Sequence, residues 1–303
     1  FPNIGVPNEF DLNTPVLDAF GTDLNEKVSK YKLFKPVKRE EVDHLITALI
    51  KKEKSNALIV GEPGVGRKSL VEILANRINN YDIPVSLAGY TIIELDVMAF
   101  IANLSSKEGL EGGVTSLVED LEKYGDVILY IKDFQSLFIG TGAGFAVPLV
   151  FSLLRGYLES SGISLVGVTT DSFYSKLSSE GVQLLNDFEV VHLDEPEDVK
   201  AKEILYAKAH ELSVFHGITV EKEVVDYVFE KSSKLKISNY PSKAIKLLDH
   251  ACSLLLLNKD IVPKKYKNLV DEKIKAKERL ENFLDASDFD SAAKMQKKLK
   301  DAD

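Results

Sequence analysis

The sequence predicts an α/β protein in which a parallel sheet, covered by helices on both faces, is followed by a smaller all-helical part. Short apolar runs alternate with segments of helical period as far as Pro196, and strands that are apolar throughout are typical of parallel sheets buried on both faces. After Pro196 the helical period continues without strand runs of comparable strength. The chain has 303 residues, enough for about two domains of roughly 150 residues each.

The individual elements are predicted from local patterns, taken in chain order. Residues Phe1–Leu12 carry two prolines and a glycine with little periodicity, which is typical of a linker or a loosely held arm. Apolar residues three and four apart predict an amphipathic helix over Arg39–Lys52. Strands are predicted at Ala57–Val60, Thr91–Leu95, Val127–Ile131 and Ser164–Val168. Further helices are predicted at Lys68–Ile78, Val199–Leu212, Lys222–Ser233 and Ser242–Leu257.

Beyond Pro263 the chain becomes strongly charged. Its apolar residues form a narrow stripe over Asp271–Leu284 and Phe289–Lys300, which favours a helical hairpin or coiled coil over a globular core. We therefore expect an arm over residues 1–15, an α/β domain over 16–195, a helical domain over 196–262 and a helical hairpin over 263–303.

Composition excludes several classes of protein. Forty-seven acidic residues against 38 basic ones give a net charge of -9, which argues against general nucleic-acid binding. Cys252 is the single cysteine of the sequence and cannot form an internal disulfide, and the apolar run Ser253–Leu257 is far too short to span a membrane. We expect a soluble protein of a reducing compartment, the cytoplasm or an organelle stroma or matrix. The histidines show no metal-ligand spacing, so no metal site is predicted from them.

The sharpest local signal is a glycine-rich segment between a predicted strand and a predicted helix. It reads Gly61-Glu62-Pro63-Gly64-Val65-Gly66-Arg67-Lys68-Ser69. Glycines let backbone N–H groups converge on an anion, and the helix N-terminus behind them favours negative charge. The segment therefore predicts a phosphate-binding loop, with a glycine-rich turn that binds nothing as the alternative.

The spacing of this loop is shifted by one residue. The phosphate-binding motif requires Lys at position 67 and Ser or Thr at position 68, whereas this chain has Arg67, Lys68 and Ser69. Each step along a helix turns the side chain by about 100°, so Lys68 and Ser69 do not simply replace the expected pair. A local insertion or bulge that restores the register remains open.

The segment Asn56–Ile78 resembles the Walker A region of the Clp/Hsp100 AAA+ unfoldases, above all the first ATPase module of the ClpC and ClpB type. Similar segments continue in the same order at Asn13–Asp18, Asp23–Leu24, Val127–Ile131 (Walker B), Gly167–Thr170 (sensor), Asp194–Pro196 (exit to the lid), Tyr240–Ala251 (second sensor helix) and Phe289–Lys294 (middle-domain repeat, related to UVR hairpins). The resemblance implies an AAA+ P-loop fold of three layers, a helical lid over 196–262, and a middle-domain segment at the end. It also implies ATP as ligand and protein unfolding as activity.

Several positions depart from the family at the nucleotide. The family's Walker B strand ends in Asp-Glu, for Mg²⁺ and for the attacking water; here those positions hold Lys132 and Asp133. A lysine places positive charge where the metal binds. The segment Pro36–Arg39 lacks the Ile-Gly pair of the family's adenine pocket. Thr170 alone keeps a sensing residue type, so Asp133 and Thr170 are the candidate catalytic residues, and Gly61 through Ser69 the candidate nucleotide-binding ones.

Two further departures concern neighbours and substrate. The family's paired arginines, which act on the adjacent subunit's nucleotide, correspond to Asn186 and Asp187 here. The aspartate would repel the phosphoryl charge that an arginine stabilises. The family's pore-loop tyrosine falls on or near Ser106, and no aromatic residue stands in that segment.

Together these departures predict a degenerate module that binds ATP or ADP weakly or not at all, with Mg²⁺ disfavoured. It would act as a ring or regulatory subunit beside other Clp ATPase or protease subunits and bind adaptors through its hairpin, without nucleic-acid or membrane partners. A working ATP-driven unfoldase with an altered P-loop is the alternative. A nucleic-acid-directed AAA+ protein is disfavoured by the net charge.

Overall fold

The structure is a computed structural model that describes residues 13–31, 36–52, 55–104, 109–138, 149–161, 163–179, 183–235, 238–259, 264–285, 288, 291 and 293–296. The chain divides into two compact units, residues 1–248 and 249–303. Within the described ranges, none of the helices combines the length and apolar character needed to cross a bilayer.

The first unit is built on a six-stranded sheet. Its strands are β1 (Gly21–Asp23), β2 (Ala57–Val60), β3 (Thr91–Leu95), β4 (Val127–Ile131), β5 (Ser164–Thr169) and β6 (Glu189–His192). Their order across the sheet is β1-β3-β4-β5-β2-β6. The predicted strands are confirmed, three of them at the expected bounds. The expectation of a wholly parallel sheet is wrong at one edge, because β1 runs antiparallel to β3 with Gly21 opposite Leu95.

Helices follow most strands, as parallel pairing requires. The helices are α1 (Pro15–Phe20), α2 (Leu24–Lys30), α3 (Glu40–Leu49), α4 (Arg67–Asn79), α5 (Val97–Leu104), α6 (Gly109–Tyr124), α7 (Leu149–Ser161), α8 (Asp171–Ser179), α9 (Asp198–His216), α10 (Lys222–Ser232), α11 (Ser242–Lys259) and α12 (Lys264–Asp285). Helices α9 and α10 and the start of α11 form the lid region of the first unit. Helix α12 belongs to the second unit.

Two separate apolar cores lie on the two faces of the sheet. One contains residues of α1, α5, α6, α7 and α8, such as Phe100 and Leu154; the other contains residues of α2, α3 and α4, such as Leu45 and Leu74. Alternate strand residues enter alternate cores, as Ile128 and Leu129 do. The sheet is therefore the middle of three layers, in agreement with the predicted α/β class.

The segment before β2 is tied to the sheet rather than separate from it. Thr14 and Leu17 are buried, and the carboxylate of Asp120 on α6 accepts hydrogen bonds from the backbone N–H groups of Val16 (2.7 Å) and Leu17 (3.2 Å). Those N–H groups belong to the first turn of α1, where backbone N–H groups have no acceptor within the helix. A buried side chain distant in sequence thus caps α1 and fixes β1 at the edge.

The predicted carboxyl-terminal hairpin is described over its first arm. Helix α12 spans the predicted segment Asp271–Leu284 and begins earlier, at Lys264. Of the second arm, Phe289–Lys300, only residues 291 and 293–296 are described, as helix. The rest of that arm lies outside the described residues, as do Ser106 and its neighbours.

Candidate functional site

The glycine-rich loop joins the end of β2 to the start of α4. Gly64 and Gly66 have positive φ angles of 99° and 105°, which favour glycine because a Cβ would be strained there. Gly66 is the N-cap of α4 and offers no side-chain acceptor. The first N–H groups of the helix therefore keep their capacity to bind an anion, reinforced by the helix dipole. This geometry fits a phosphate group.

The outer side of the loop is held by hydrogen bonds to three successive carbonyl oxygens. Asn239 Nδ2 donates to Pro63 at 3.2 Å, the Ser242 N–H donates to Gly64 at 3.3 Å, and a guanidinium nitrogen of Arg39 donates to Val65 at 3.1 Å. Two of these donors come from the lid region. Because the three carbonyl oxygens accept hydrogen bonds from residues outside the loop, the backbone of the loop is fixed at Pro63, Gly64 and Val65.

Arg39 is itself held in place by an acidic neighbour. Its Nε and Nη2 donate to the two carboxylate oxygens of Glu41 at 3.3 and 2.8 Å, and its side chain is 7% exposed. Burial acts to raise the pKa of Glu41, but the hydrogen bonds and charge of Arg39 outweigh it and hold that pKa below the ordinary value. Sequence reasoning missed Arg39 as a support of the loop.

The structure contains no insertion that would restore the motif's register. Helix α4 begins at Arg67, directly after Gly66. An Arg67 guanidinium nitrogen donates to the Thr169 carbonyl oxygen at the end of β5, at 2.6 Å. Lys68 is 55% exposed and lies 3.5 Å from Glu72 one turn along the helix. The arginine thus binds α4 to β5, and the lysine lies along the helix surface.

The carboxyl end of β4 carries a lysine paired with a buried acid. Lys132 Nζ lies 3.1 Å from Oε1 of Glu94, whose side chain is 10% exposed, and Lys27 Nζ lies 4.0 Å from Oε2. Glu94 stands opposite Tyr130 in the register of β3 and β4. An acid within the otherwise apolar run Thr91–Leu95 was the signal that could have revealed this pair.

These residues do not fit a divalent cation. By the resemblance, Lys132 falls where the family has a metal-binding aspartate, and a lysine is not a ligand for such an ion. The described residues contain no group of three or more His, Cys, Asp or Glu side chains able to hold a metal ion. Asp133 is exposed beside Lys132, and its backbone oxygen accepts a hydrogen bond from Ser136 Oγ at 2.6 Å.

Thr170 is engaged in local hydrogen bonds at the start of α8. Its Oγ1 accepts from Gln135 Nε2 at 3.2 Å and from the Phe173 N–H at 3.3 Å. It also lies 3.1 Å from Ser172 Oγ. The hydroxyl therefore joins the turn after β4 to the first turn of α8.

An apolar cavity lies beside the first turn of α4. Its volume is about 80 Å³. Its lining consists of Pro36, Val37, Arg39, Gly66, Ser69, Ile73, Ile204, Ala207, Lys208, Pro241 and Ile245. The absence of an Ile-Gly pair led us to expect a deficient adenine pocket, yet Pro36 and Val37 supply an apolar wall there. The lining is apolar, as in sites that contact a planar base, but the volume is well below the roughly 300–1,000 Å³ of most ligand pockets.

Asp187 is paired inside its own chain. Arg155 on α7 contacts both of its carboxylate oxygens, with Nε 2.9 Å from Oδ2 and Nη2 3.1 Å from Oδ1. The Asp187 side chain is 14% exposed, whereas Asn186 is exposed. The expected repulsion of a neighbour's phosphate is thus reduced, because Arg155 neutralises the carboxylate. Neither Asn186 nor Asp187 carries a positive charge.

Comparison with known families gives two matches, one of which extends from the first unit into the second. A family model described as an AAA lid domain matches residues 197–300. A second, described as the SMAX1 nucleotide binding domain, matches residues 32–139, the range that includes the glycine-rich loop and β4.

Curated relatives are chaperone and protease subunits. The chaperone protein ClpB of Wolinella succinogenes is 31% identical over 255 residues, covering 84% of this chain and 30% of ClpB. ClpC of Staphylococcus aureus, the ATP-binding subunit of an ATP-dependent Clp protease, is 28% identical over 289 residues, covering 94% of this chain and 35% of ClpC. The chain therefore spans about a third of the length of these relatives.

Solved structures agree on the fold. Hsp104 of S. cerevisiae in a casein complex, extended conformation, superposes with a TM-score of 0.71 at 24% identity, over 81% of this chain and 42% of Hsp104. The Hsp104–ADP complex gives a TM-score of 0.73 at 21% identity, over 94% of this chain and 41% of Hsp104. Loop, sheet, lid and relatives lead to one conclusion: the chain belongs to the Clp/Hsp100 AAA+ family, in the region of the first ATPase module.

Proposed function

We propose that this Clp-type AAA+ module does not hydrolyse ATP and acts as a ring or regulatory subunit of a protein-unfolding or Clp protease system. The observation that carries the proposal is the ion pair between Lys132 and Glu94 at the end of β4. In a hydrolysing module this position binds the metal that neutralises the phosphates. A lysine with a carboxylate partner already in place opposes that role.

Two further observations support a loss of turnover. Arg67 is bound to the Thr169 carbonyl and Lys68 lies beside Glu72, so neither occupies the place of the P-loop lysine. Asp133 carries one methylene fewer than the glutamate that activates water, and a displacement of about 1 Å can cost roughly 100-fold in rate.

The partners are proposed from the relatives. ClpC is by its name a subunit of a Clp protease, and we propose comparable neighbours for this chain, namely other Clp ATPase or protease subunits. Adaptor proteins would bind the carboxyl-terminal hairpin that begins with α12. The proposed location is the cytoplasm or an organelle stroma or matrix.

Calorimetry and an ATPase assay with Mg²⁺ test the proposal on this chain. We expect no turnover above background and weak or absent binding of Mg²⁺–ATP. Micromolar affinity for Mg²⁺–ATP that disappears in Gly66→Val, together with turnover, would overturn it and establish a working unfoldase module. That second candidate is favoured by one observation, the apolar cavity beside Ser69.

A further inference from the structure

Two buried polar groups on the sheet beside α4 lack a hydrogen-bond partner among the described residues. The hydroxyl of Tyr130 and Oε2 of Glu94 are buried and accept or donate no hydrogen bond within the described part of the chain. Tyr130 is 0% exposed. Unpaired buried polar atoms are uncommon in proteins, and each calls for an explanation such as a missing ligand.

These groups lie on the loop side of the sheet. Tyr130 belongs to the apolar core that contains α2 and α4, and Glu94 is its neighbour across the strand pair. Burial and the charges of Glu94 and Glu72 raise the pKa of the Tyr130 hydroxyl, while the charge of Arg67 opposes the shift. Tyr130 therefore packs in the same core as the buried residues of α4.

The same region carries cationic groups that can turn toward an anion. Arg67, Lys68, Lys132 and Lys27 supply four cationic groups, and Glu62, Glu72, Glu94 and Asp133 supply four carboxylates. Lys132 and Lys68 are 57% and 55% exposed, so both side chains can reorient. An incoming anion can thus draw Lys132 from Glu94 without leaving a wholly buried charge behind, because Lys27 remains near Oε2.

From these observations we infer that the site binds a nucleoside diphosphate or triphosphate in its metal-free form, with Lys132 as the counter-ion in place of Mg²⁺. The loop N–H groups bind the phosphates, the apolar cavity beside Ser69 binds the base, and Glu94 holds Lys132 when the site is empty. This inference rests on the proposed function, since a metal-free phosphate chain is bound rather than hydrolysed. Mg²⁺ weakens binding, because it reduces the negative charge of the nucleotide and meets a fixed cation.

Titration of ADP into the chain by calorimetry, in EDTA and in excess Mg²⁺, tests the inference. We expect binding about tenfold tighter in EDTA, the factor that corresponds to one charge-assisted contact. Lys132→Gln should lose about tenfold in EDTA, Lys132→Arg should retain binding, and Glu94→Gln should strengthen binding because it releases Lys132. The Glu94 variant keeps the test decisive if Lys132→Gln folds poorly.

Lys51→Gln is the matched control. Lys51 is 43% exposed and paired with Glu189, at the start of β6 and so at the opposite end of the parallel strands from the loop; its removal should leave ADP binding unchanged. Equal or tighter binding in Mg²⁺, no binding in either condition, or an unaltered affinity in Lys132→Gln would overturn the inference. Turnover of Mg²⁺–ATP would instead overturn the proposed function, so the two failures are distinguishable.

Discussion

Glu94 defines the chemistry of the site more than any residue of the phosphate-binding motif. It is an acid within a buried strand, and its carboxylate is matched by Lys132 at 3.1 Å. Lys132, directly after β4, is therefore one half of a pair. The sequence identified the lysine as a departure from the family, but its partner could not be identified because Glu94 lies on another strand, β3.

Restoring an aspartate at position 132 should destabilise the protein. Lys132→Asp leaves Glu94 beside a second carboxylate, and an unpaired buried group costs about 1–3 kcal/mol. For a chain of this size that is a fall in Tm of about 2–4 °C per kcal/mol. The double variant with Glu94→Gln should regain most of the loss. Thermal unfolding of the two variants checks this, and an unchanged Tm in Lys132→Asp would show that the pair contributes little.

The sequence predicted correctly those strands whose residues are buried along their whole length. Strands β2, β3 and β4 consist almost wholly of apolar residues, so their bounds were found correctly. Strand β1, Gly-Thr-Asp, has no apolar pattern and exists through its pairing with β3. Strand β6 begins and ends with the exposed residues Glu189 and His192, so it has no continuous apolar pattern and was missed for the same reason. The contacts of the lid region on the loop join residues far apart in the chain, such as Asn239 and Pro63, 176 positions apart, beyond the reach of local patterns.

Alanine substitution of two glycines separates the contribution of the contact between the lid region and the loop from the backbone cost of replacing a glycine. Gly64 has a φ of 99°, and a Cβ there would lie 2.6 Å from Ser238 Oγ and 3.0 Å from Ser242 Cβ. Gly89 has a φ of 88° with no atom within 4 Å of the same Cβ. Both Gly→Ala changes carry a backbone cost of about 1–2 kcal/mol, so Gly64→Ala should lower the Tm further than Gly89→Ala. Equal losses would mean that the contact adds nothing to stability.

The attachment of α11 depends on one carboxylate. Glu195 accepts a hydrogen bond from the Tyr240 N–H at 2.6 Å and from Lys243 Nζ at 3.1 Å. The Tyr240 N–H, and after it Lys243, lower the pKa of Glu195, while burial acts against them. The pKa of Glu195 is lower in the folded protein than in the unfolded one. The two hydrogen bonds of its carboxylate therefore contribute fully to stability above the unfolded pKa of about 4.3. This contribution to stability is lost as the pH falls through the folded pKa.

Hydrogen exchange of residues 242–248 against pH measures this loss. Protection of that segment should fall in the acid range below about pH 4.3. In Glu195→Gln the amide oxygen still accepts, but the fall with pH should be smaller. An identical acid profile in the variant would assign the effect to other carboxylates.

Ring closure around nucleotide depends, in the family that this chain resembles, on paired arginines that correspond to residues 186 and 187 here. Residues 186 and 187 carry no cation, and Asp187 is bound to Arg155 within the same chain. Each missing charge-assisted bond to phosphate is worth about 1.5–3 kcal/mol. We predict that this chain alone is monomeric or weakly associated, with or without ATP. Light scattering at micromolar concentration checks it; a stable hexamer formed only with ATP would contradict the prediction.

The hydrogen bonds from α1 to Asp120 have a consequence for shortened versions of the chain. Strand β1 shields the outer side of β3, and an apolar strand left bare at an edge is a template for intermolecular pairing. Removal of the residues before Leu24 would uncover Thr91–Leu95 and deprive the Asp120 carboxylate, itself 3% exposed, of both its N–H donors. The segment ahead of the glycine-rich loop thus protects the sheet against aggregation.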